Sequence, residues 1–131
     1  METKRVLVID DQPGVRQLLQ AFLTENGYDV AGASNGAEGL REVEQDPPSF
    51  ILLDLIMPEM DGRQFAHELS ARGMHVPTIV MSGDHDAQQW AQGIGAPYLP
   101  KPFTHAELDA ALAHVGGPQR LGSSLIMDSR W

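Results

Sequence analysis

Apolar residues recur along this chain in two alternating patterns. Continuous apolar runs, at residues 6–9 and 50–53, are typical of strands that are covered on both faces. Between such runs, apolar residues are spaced three and four positions apart, as in Val15, Leu19 and Leu23, which predicts helices with one buried face. The pattern therefore predicts a chain in which strands and helices alternate.

Five strands and five helices are predicted in this way. The predicted strands cover residues 6–9, 28–33, 50–53, 76–81 and 98–99. The helical residues predicted to face inward are Val15, Leu18, Leu19, Phe22 and Leu23; Ala37, Leu40 and Val43; Phe65, Ala66 and Leu69; Ala87, Trp90, Ala91 and Ile94; and Leu108, Ala111, Leu112 and Val115.

Polar residues mark where several helices begin. Asn35 with Glu38, and Thr104 with Glu107, have the spacing of capping boxes, and Asp61 is placed to cap the third helix. Five alternations of strand and helix indicate a parallel sheet with helices on both faces, joined by right-handed crossovers. We therefore predict an α/β fold: a doubly wound (βα)5, flavodoxin-like three-layer sandwich with strand order 2-1-3-4-5.

Length and composition limit the functions that need to be considered. The 131 residues predict one domain over 1–117 and a C-terminal tail over 118–131, docked or disordered. The net charge of −9 argues against direct nucleic-acid binding, and the absence of cysteine excludes disulfides and thiolate metal sites. The apolar stretches are too short for a signal peptide or a membrane span, which predicts a cytoplasmic protein without membrane contact.

Three carboxylates are predicted to meet at one edge of the sheet. Asp10 and Asp11 follow the first strand, and Asp54 ends the third strand inside an otherwise apolar segment. In the predicted strand order these strands are neighbours, and ligands bind outside the carboxyl ends of strands where the order reverses. Three converging carboxylates repel one another unless a cation lies among them, and Mg²⁺ prefers such oxygen ligands. Asp54 is therefore predicted to belong to a magnesium-dependent site.

Two further polar residues are predicted to lie at the same edge. Ser82 ends the fourth strand, and Lys101 follows the fifth. The ammonium group of a lysine can neutralise a phosphoryl oxygen, and a serine hydroxyl can hydrogen-bond to one. Each residue is weak evidence by itself, but the five together indicate a site for phosphoryl chemistry.

The segments "VLVIDD", "DLIMPEMDG", "MSG" and "YLPKPF" resemble the receiver domain of two-component response regulators, the family of the chemotaxis response regulator. The resemblance covers roughly residues 4–115. It implies that Asp54 accepts a phosphoryl group and that Asp11 binds Mg²⁺ directly, with Asp10 close by or acting through water. It also implies that the backbone carbonyl of Ile56 is a metal ligand.

The resemblance implies further roles around the site. Lys101 should contact the phosphoryl group, and Ser82 should close on it after transfer, while Tyr98 matches an aromatic residue that swings inward on activation. The bond between Lys101 and Pro102 should be cis. The apolar side chain of Ile56, with Asp84, occupies a position that controls water access, which predicts slow autodephosphorylation. His85 is predicted to be a solvated loop residue rather than a metal ligand.

The resemblance also implies the partners. These are a sensor histidine kinase or a histidine phosphotransfer protein, an unknown output partner, and a homodimer that forms on phosphorylation. Such a protein is a regulator that assists only its own phosphorylation and dephosphorylation. It either stands alone, where it controls partner binding or relays phosphate, or it is part of a larger regulator or hybrid kinase. The segment between Ser82 and Lys101 is shorter than is usual in the family, so we expect the output surface to depart from the family pattern.

Three other functions are compatible with the predicted fold. An aspartate-nucleophile phosphatase of the haloacid dehalogenase type would carry a D-x-D motif after the first strand, where this chain has "DDQPG". A flavin-binding module would need a hydroxyl- and glycine-rich phosphate loop there, and two carboxylates would repel the phosphate. An interaction module without phosphorylation would not need the acidic cluster. The sequence favours the receiver.

Overall fold

The computed structural model describes residues 4–84 and 86–115, and over these ranges it contains five strands and five helices. In chain order they are β1 (Arg5–Ile9), α1 (Pro13–Glu25), β2 (Asp29–Ala33), α2 (Gly36–Gln45), β3 (Phe50–Asp54), α3 (Gly62–Ala71), β4 (Thr78–Ser82), α4 (Ala87–Gly93), β5 (Tyr98–Pro100) and α5 (His105–His114). The alternation predicted from the apolar pattern is confirmed.

The five strands form one parallel sheet in the order β2-β1-β3-β4-β5. Ile9 of β1 pairs with Leu53 of β3, so the residue after each of them stands at the same edge. Asp54, the last residue of β3, pairs with Met81 of β4. The predicted flavodoxin-like topology is confirmed, and the carboxyl ends of β1 and β3 lie side by side.

Two apolar cores cover the two faces of the sheet. Leu7 and Ile9 of β1 point into the core formed with α2, α3 and α4. Val6 and Val8 point into the opposite core, formed with α1 and α5. All five residues of β3 are buried, which agrees with its continuous apolar sequence. Asp54 therefore ends the most deeply buried strand of the sheet.

Two residues predicted to face inward lie on the surface. The side chain of Leu18 is 63% exposed and that of Ile94 is 50% exposed. Leu19 and Leu23 define the buried face of α1, and Leu18 lies about 120° around the helix axis from the centre of that face. Ile94 follows the end of α4, which has only seven residues, so it does not continue the inner face of that helix.

The capping predictions are confirmed at α5 and corrected at α2. Thr104 and Glu107 form the predicted capping box. Asn35 accepts a hydrogen bond from the amide of Glu38, but the carboxylate of Glu38 accepts from the amide and the hydroxyl of Ser34, both at 2.8 Å, rather than from Asn35. These two hydrogen bonds lower the pKa of Glu38. Glu38 thus stabilises the turn before α2.

Some predictions concern residues beyond the described ranges. The tail predicted over residues 118–131 and the loop role of His85 fall outside them. Within residues 4–84 and 86–115, none of the helices combines the length and the apolar character needed to cross a bilayer.

Candidate functional site

The three predicted carboxylates converge at the carboxyl edge of the sheet. Asp10, Asp11 and Asp54 each contribute one carboxylate oxygen to a group whose members all lie within 4.8 Å of one another. The parallel pairing of β1 with β3 places them there. Because carboxylate oxygens at this spacing suit a hard divalent cation, the donor set fits Mg²⁺.

Asp54 is a buried carboxylate, with only 4% of its surface exposed. Its Oδ1 accepts a hydrogen bond from the amide of Ile56 at 3.3 Å, and its Oδ2 lies 3.3 Å from the ammonium nitrogen of Lys101. Burial raises the pKa of Asp54 to about 6, and the charge of Asp10 adds to this effect, while Lys101 opposes it. Asp54 is therefore easier to protonate than an ordinary aspartate.

Asp10 is the fully buried member of the acidic cluster, and it orients Lys101. Both of its carboxylate oxygens have partners. Oδ1 accepts from the amide of Gln12 at 2.9 Å, and Oδ2 accepts from Lys101 at 2.7 Å. The backbone carbonyl of Asp10 accepts from the guanidinium of Arg16 at 2.6 Å. These contacts fix Asp10 in place, whereas Asp11 is half-buried and faces the open side.

Lys101 carries its charge in a partly buried position. Burial is the largest single influence on the pKa of Lys101 and lowers it. The hydrogen bond to Asp10, with the charges of Asp54 and Asp10, outweighs burial, so the net result is a raised pKa. Lys101 therefore remains an ammonium ion at the site. The peptide bond that follows, to Pro102, is cis as the sequence comparison implied.

An open cavity of about 580 Å³ lies above the acidic cluster. Residues of four strand ends line it: Asp11, Asp54, Ile56, Ser82, Asp84 and Lys101. The side chain of Ile56 is 57% exposed, which places an apolar group at the mouth of the cavity. The cavity is large enough for a phosphoryl group and several water molecules. The carboxylate of Asp54 lines it and can be reached by a reactant that enters.

Ser82 and Tyr98 are linked at the edge of the cavity. Ser82 is fully buried, and its hydroxyl oxygen accepts from the amide of Asp84 at 3.0 Å. Its backbone carbonyl accepts from the hydroxyl of Tyr98 and from the amide of Lys101, both at 3.0 Å. The hydroxyl of Tyr98 is thus directed toward the end of β4. The carbonyl of Ser82 therefore binds the first residue of β5 and the residue that follows β5.

The loop between β3 and α3 is fixed by close contacts with Asp54. A Cβ atom on Gly62 would lie 2.4 Å from the backbone oxygen of Asp54, so only glycine fits there. Glu59 adopts a positive φ of 64° in the same loop. Asp61 and Gln64 form a capping box at the start of α3, which confirms the cap predicted at Asp61. The phosphoacceptor candidate is held by a closely packed backbone.

Sequence reasoning missed Arg63, on the first turn of α3. Its guanidinium lies 3.5 Å from the carboxylate of Asp84 and 5.8 Å from the centre of the Trp90 ring. Spacing along the chain could not reveal this contact, because it depends on how α3 and α4 are placed against each other. The signal available in the sequence was an arginine two residues after Asp61, the predicted cap of α3.

The fold and the site define first a class of protein. An acidic cavity at the carboxyl edge of a parallel 2-1-3-4-5 sheet is the binding arrangement of doubly wound α/β domains. The sequence matches the response regulator receiver domain family over residues 6–113. The chain belongs to this family and is a receiver domain of two-component signalling. The phosphatase and flavin-binding alternatives lose their support.

Curated relatives agree with this assignment. Response regulator MprA from Mycobacterium leprae is 36% identical over 111 residues, an alignment that covers 82% of this chain and 49% of MprA. The chain spans about half the length of the curated relatives it matches. The receiver function therefore corresponds to one part of such a relative.

Solved receiver structures have the same fold. TrrA from Thermotoga maritima, solved in complex with Mg(2+)-BeF, superposes with a TM-score of 0.77 at 29% identity, covering 86% of this chain and 99% of TrrA. The chemotaxis protein CheY4 from Vibrio cholerae superposes with a TM-score of 0.79 at 27% identity, covering 87% of this chain and 99% of that protein. The two agree with the family assignment.

Proposed function

We propose that this receiver accepts a phosphoryl group on Asp54 from a phosphohistidine of a sensor histidine kinase or a histidine phosphotransfer protein. One observation carries the proposal: a buried carboxylate at the end of β3 lines an open cavity, 3.3 Å from the ammonium group of Lys101. The receiver family implies a histidine kinase partner in general. TrrA, which has the same fold, binds Mg(2+)-BeF.

The proposed reaction is a direct transfer. A carboxylate oxygen of Asp54 forms a bond to phosphorus as the bond between phosphorus and the imidazole nitrogen of the donor breaks. The electron pair of the broken bond stays on that nitrogen, and the product is an acyl phosphate on Asp54. The attacking carboxylate must be ionised, and burial opposes ionisation. Neighbouring positive charge is therefore part of the reaction.

Lys101 supplies one such charge from the protein itself. An ammonium group has three N–H donors, and in this structure Asp10 and Asp54 lie within reach of two of them. The third is available for an oxygen of the transferred phosphoryl group. Asp10 holds the ammonium at 2.7 Å, so Lys101 is oriented before the donor arrives. Lys101 therefore contributes by positioning and by charge.

The acidic cluster fits a magnesium ion. The carboxylates of Asp10, Asp11 and Asp54 and the backbone carbonyl of Ile56 would hold it, Asp11 being the half-buried carboxylate that faces the cavity. When bound, Mg²⁺ supplies positive charge that neutralises the phosphoryl oxygens. In the metal-free protein, burial and the charge of Asp10 raise the pKa of Asp54 and make it harder to ionise.

The conformational change is proposed to run through Ser82 and Tyr98. The hydroxyl oxygen of Ser82 accepts from the amide of Asp84, so its proton is free to be donated to a phosphoryl oxygen on Asp54. A shift of the Ser82 backbone would move the carbonyl that accepts from the hydroxyl of Tyr98. The phosphorylated site would thereby favour a different position of β5.

Phosphorylation is expected to control what the protein binds. We expect the protein to act as a regulator, not as an enzyme for a separate substrate, either by relaying phosphate or by binding an output partner or a second copy of itself. The expected surface comprises α4, β5 and α5. Sedimentation of the phosphorylated and the unmodified protein measures dimer formation, and cell fractionation tests the predicted cytoplasmic location.

Intact mass measurement tests the central claim. Wild type, Asp54→Ala and Asp109→Ala are each incubated with Mg²⁺ and acetyl phosphate. Asp109 is an exposed aspartate of α5, so Asp109→Ala serves as the matched control. We expect one added phosphoryl group on wild type and on Asp109→Ala, and none on Asp54→Ala. An adduct on folded Asp54→Ala would place the modification elsewhere.

A further inference from the structure

Arg63 joins three elements beside the cavity. It lies on the first turn of α3, and its guanidinium makes an ion pair with Asp84, in the segment between β4 and α4, at 3.5 Å. The same group lies 5.8 Å from the centre of the Trp90 ring on α4, within the range of a cation–π contact. The side chains of Arg63 and Asp84 are 36% and 24% exposed. The ring limits the positions that the guanidinium can adopt.

Asp84 connects this contact to the proposed phosphorylation site. It lines the same cavity as Asp54, and its amide donates to the hydroxyl oxygen of Ser82 at 3.0 Å. One oxygen of its carboxylate accepts from the amide of Asp86 at 3.3 Å, and the other faces Arg63. A change at Arg63 therefore acts on a residue of the cavity wall without touching Asp54.

We propose that Arg63 is a positioning residue for phosphoryl transfer: it neutralises the Asp84 carboxylate at the cavity rim and holds it toward α3, so that an anionic phosphoryl donor can enter. The inference rests on the proposed function of the site. Within the described part of the chain, the guanidinium of Arg63 contacts Asp84 and Trp90 and neither the acidic cluster nor Lys101.

The charges around the cavity give the physical reason. Asp11, Asp54 and Asp84 line it, and Lys101 is the cation that lines it with them. A phosphoryl donor carries negative charge, so an unpaired carboxylate of Asp84 would repel it at this rim. Pairing Asp84 with Arg63 removes one negative charge from the field that the donor crosses. Such rim charges act mainly on association rates and are screened by salt.

The test compares Arg63→Gln with Arg72→Gln. Arg72 follows the other end of α3 and pairs with Glu44 and Glu68, so it is a matched control far from the cavity. The initial rate of phosphorylation is measured with subsaturating acetyl phosphate and Mg²⁺, at low and at high salt. We expect Arg63→Gln to be about two- to fivefold slower at low salt and close to wild type at high salt, because screening removes the repulsion. Arg72→Gln should match wild type at both.

A second substitution shows whether Arg63 acts through Asp84. In Arg63→Gln/Asp84→Asn the carboxylate that needs neutralising is gone, so the low-salt rate should be restored relative to Arg63→Gln. Trp90→Leu removes the ring that limits the guanidinium and should slow the reaction less than Arg63→Gln does. Thermal unfolding of each variant confirms that it is folded at the assay temperature. A merely structural loss would not be reversed by Asp84→Asn or by salt.

The outcomes separate this inference from the proposed function. If wild type gains no phosphoryl group, the proposed function fails and this inference fails with it. If wild type is phosphorylated and folded Arg63→Gln reacts at the wild-type rate at low salt, only the role of Arg63 is overturned. A slow Arg63→Gln that Asp84→Asn does not restore also overturns it.

Discussion

Lys101 and Asp10 are separated by 91 positions in the chain, yet the ammonium nitrogen of Lys101 lies 2.7 Å from Oδ2 of Asp10. Asp10 is fully buried, and the side chain of Lys101 is 18% exposed. The pair keeps a positive charge beside Asp54 before any phosphoryl group is present. Replacing either member leaves a buried charge without its partner, which is costlier than losing an exposed ion pair.

Lys101→Met should therefore destabilise the metal-free protein. We expect a loss of about 3 kcal/mol in the free energy of unfolding, because Asp10 and Asp54 are left to repel each other at a buried site. Urea unfolding in EDTA measures the loss. Arg41→Met is the control, since Arg41 is an exposed cation of α2, and it should change stability much less. Equal losses in the two variants would contradict the pairing described here.

Asp54→Asn should stabilise the metal-free protein above pH 6. The pKa of Asp54 is raised from 3.8 to about 6 in the folded state. The folded protein therefore holds a proton that the unfolded chain has lost between about pH 4 and 6, and folding stability falls as the pH rises through that window. Asparagine resembles the protonated acid and avoids this cost.

The expected gain is on the order of 2–3 kcal/mol above pH 6, since one pKa unit corresponds to about 1.4 kcal/mol. Well below pH 4 the gain should vanish, because aspartate is then protonated in both states. Chemical denaturation in EDTA across this pH range measures it, with the exposed Asp109→Asn as the control. A gain that stays constant from pH 4 to pH 8 would show that ionisation of Asp54 is not its cause.

Gly62→Ala should disrupt the site through the backbone. The added Cβ would lie 2.4 Å from the backbone oxygen of Asp54 and 2.7 Å from Cα of Leu55, so β3 or the start of α3 must shift. We expect a loss of about 2–3 kcal/mol, typical of overpacking a well-packed core, and slower phosphorylation by acetyl phosphate. Gly14→Ala in α1 is the control, because nothing lies within 4 Å of its added Cβ. That substitution should be neutral or stabilising.

Ile56→Asn should shorten the lifetime of the acyl phosphate. The side chain of Ile56 lies at the mouth of the cavity and is 57% exposed, so we expect it to limit the approach of water to a phosphoryl group on Asp54. An amide in its place can hydrogen-bond an attacking water. Decay of the phosphorylated protein after removal of acetyl phosphate measures the lifetime. Leu18→Asn changes a similarly exposed leucine of α1 and should leave the decay unchanged. Decay of Ile56→Asn at the wild-type rate would exclude this role.

Part of the site could be predicted from the sequence because strand ends carry it. Asp10, Asp11 and Asp54 follow buried apolar runs, and the carboxyl ends of parallel strands share one edge of a sheet, so their convergence follows from the topology. Lys101 and Ser82 were placed at the same edge by the same argument, and the structure puts both on the cavity wall.

Helix faces were predicted less well than strands. Leu18 and Ile94 fit a helical spacing but lie on the surface, because the direction of the buried face depends on where the helix packs. The carboxylate of Glu38 binds Ser34 instead of Asn35, a choice between neighbouring donors that spacing does not distinguish.

The alternation of strands and helices, and the position of three carboxylates at strand ends, could be predicted from the sequence because they depend on local periodicity. The strand order that brings these ends together was predicted from the doubly wound fold class. How the polar groups pair became visible only in the folded structure. Lys101 binds Asp10 as well as Asp54, Tyr98 binds the carbonyl of Ser82, and Arg63 contacts Asp84 and Trp90. Such pairings depend on the relative placement of elements that are distant in the chain, and burial then makes each of them specific.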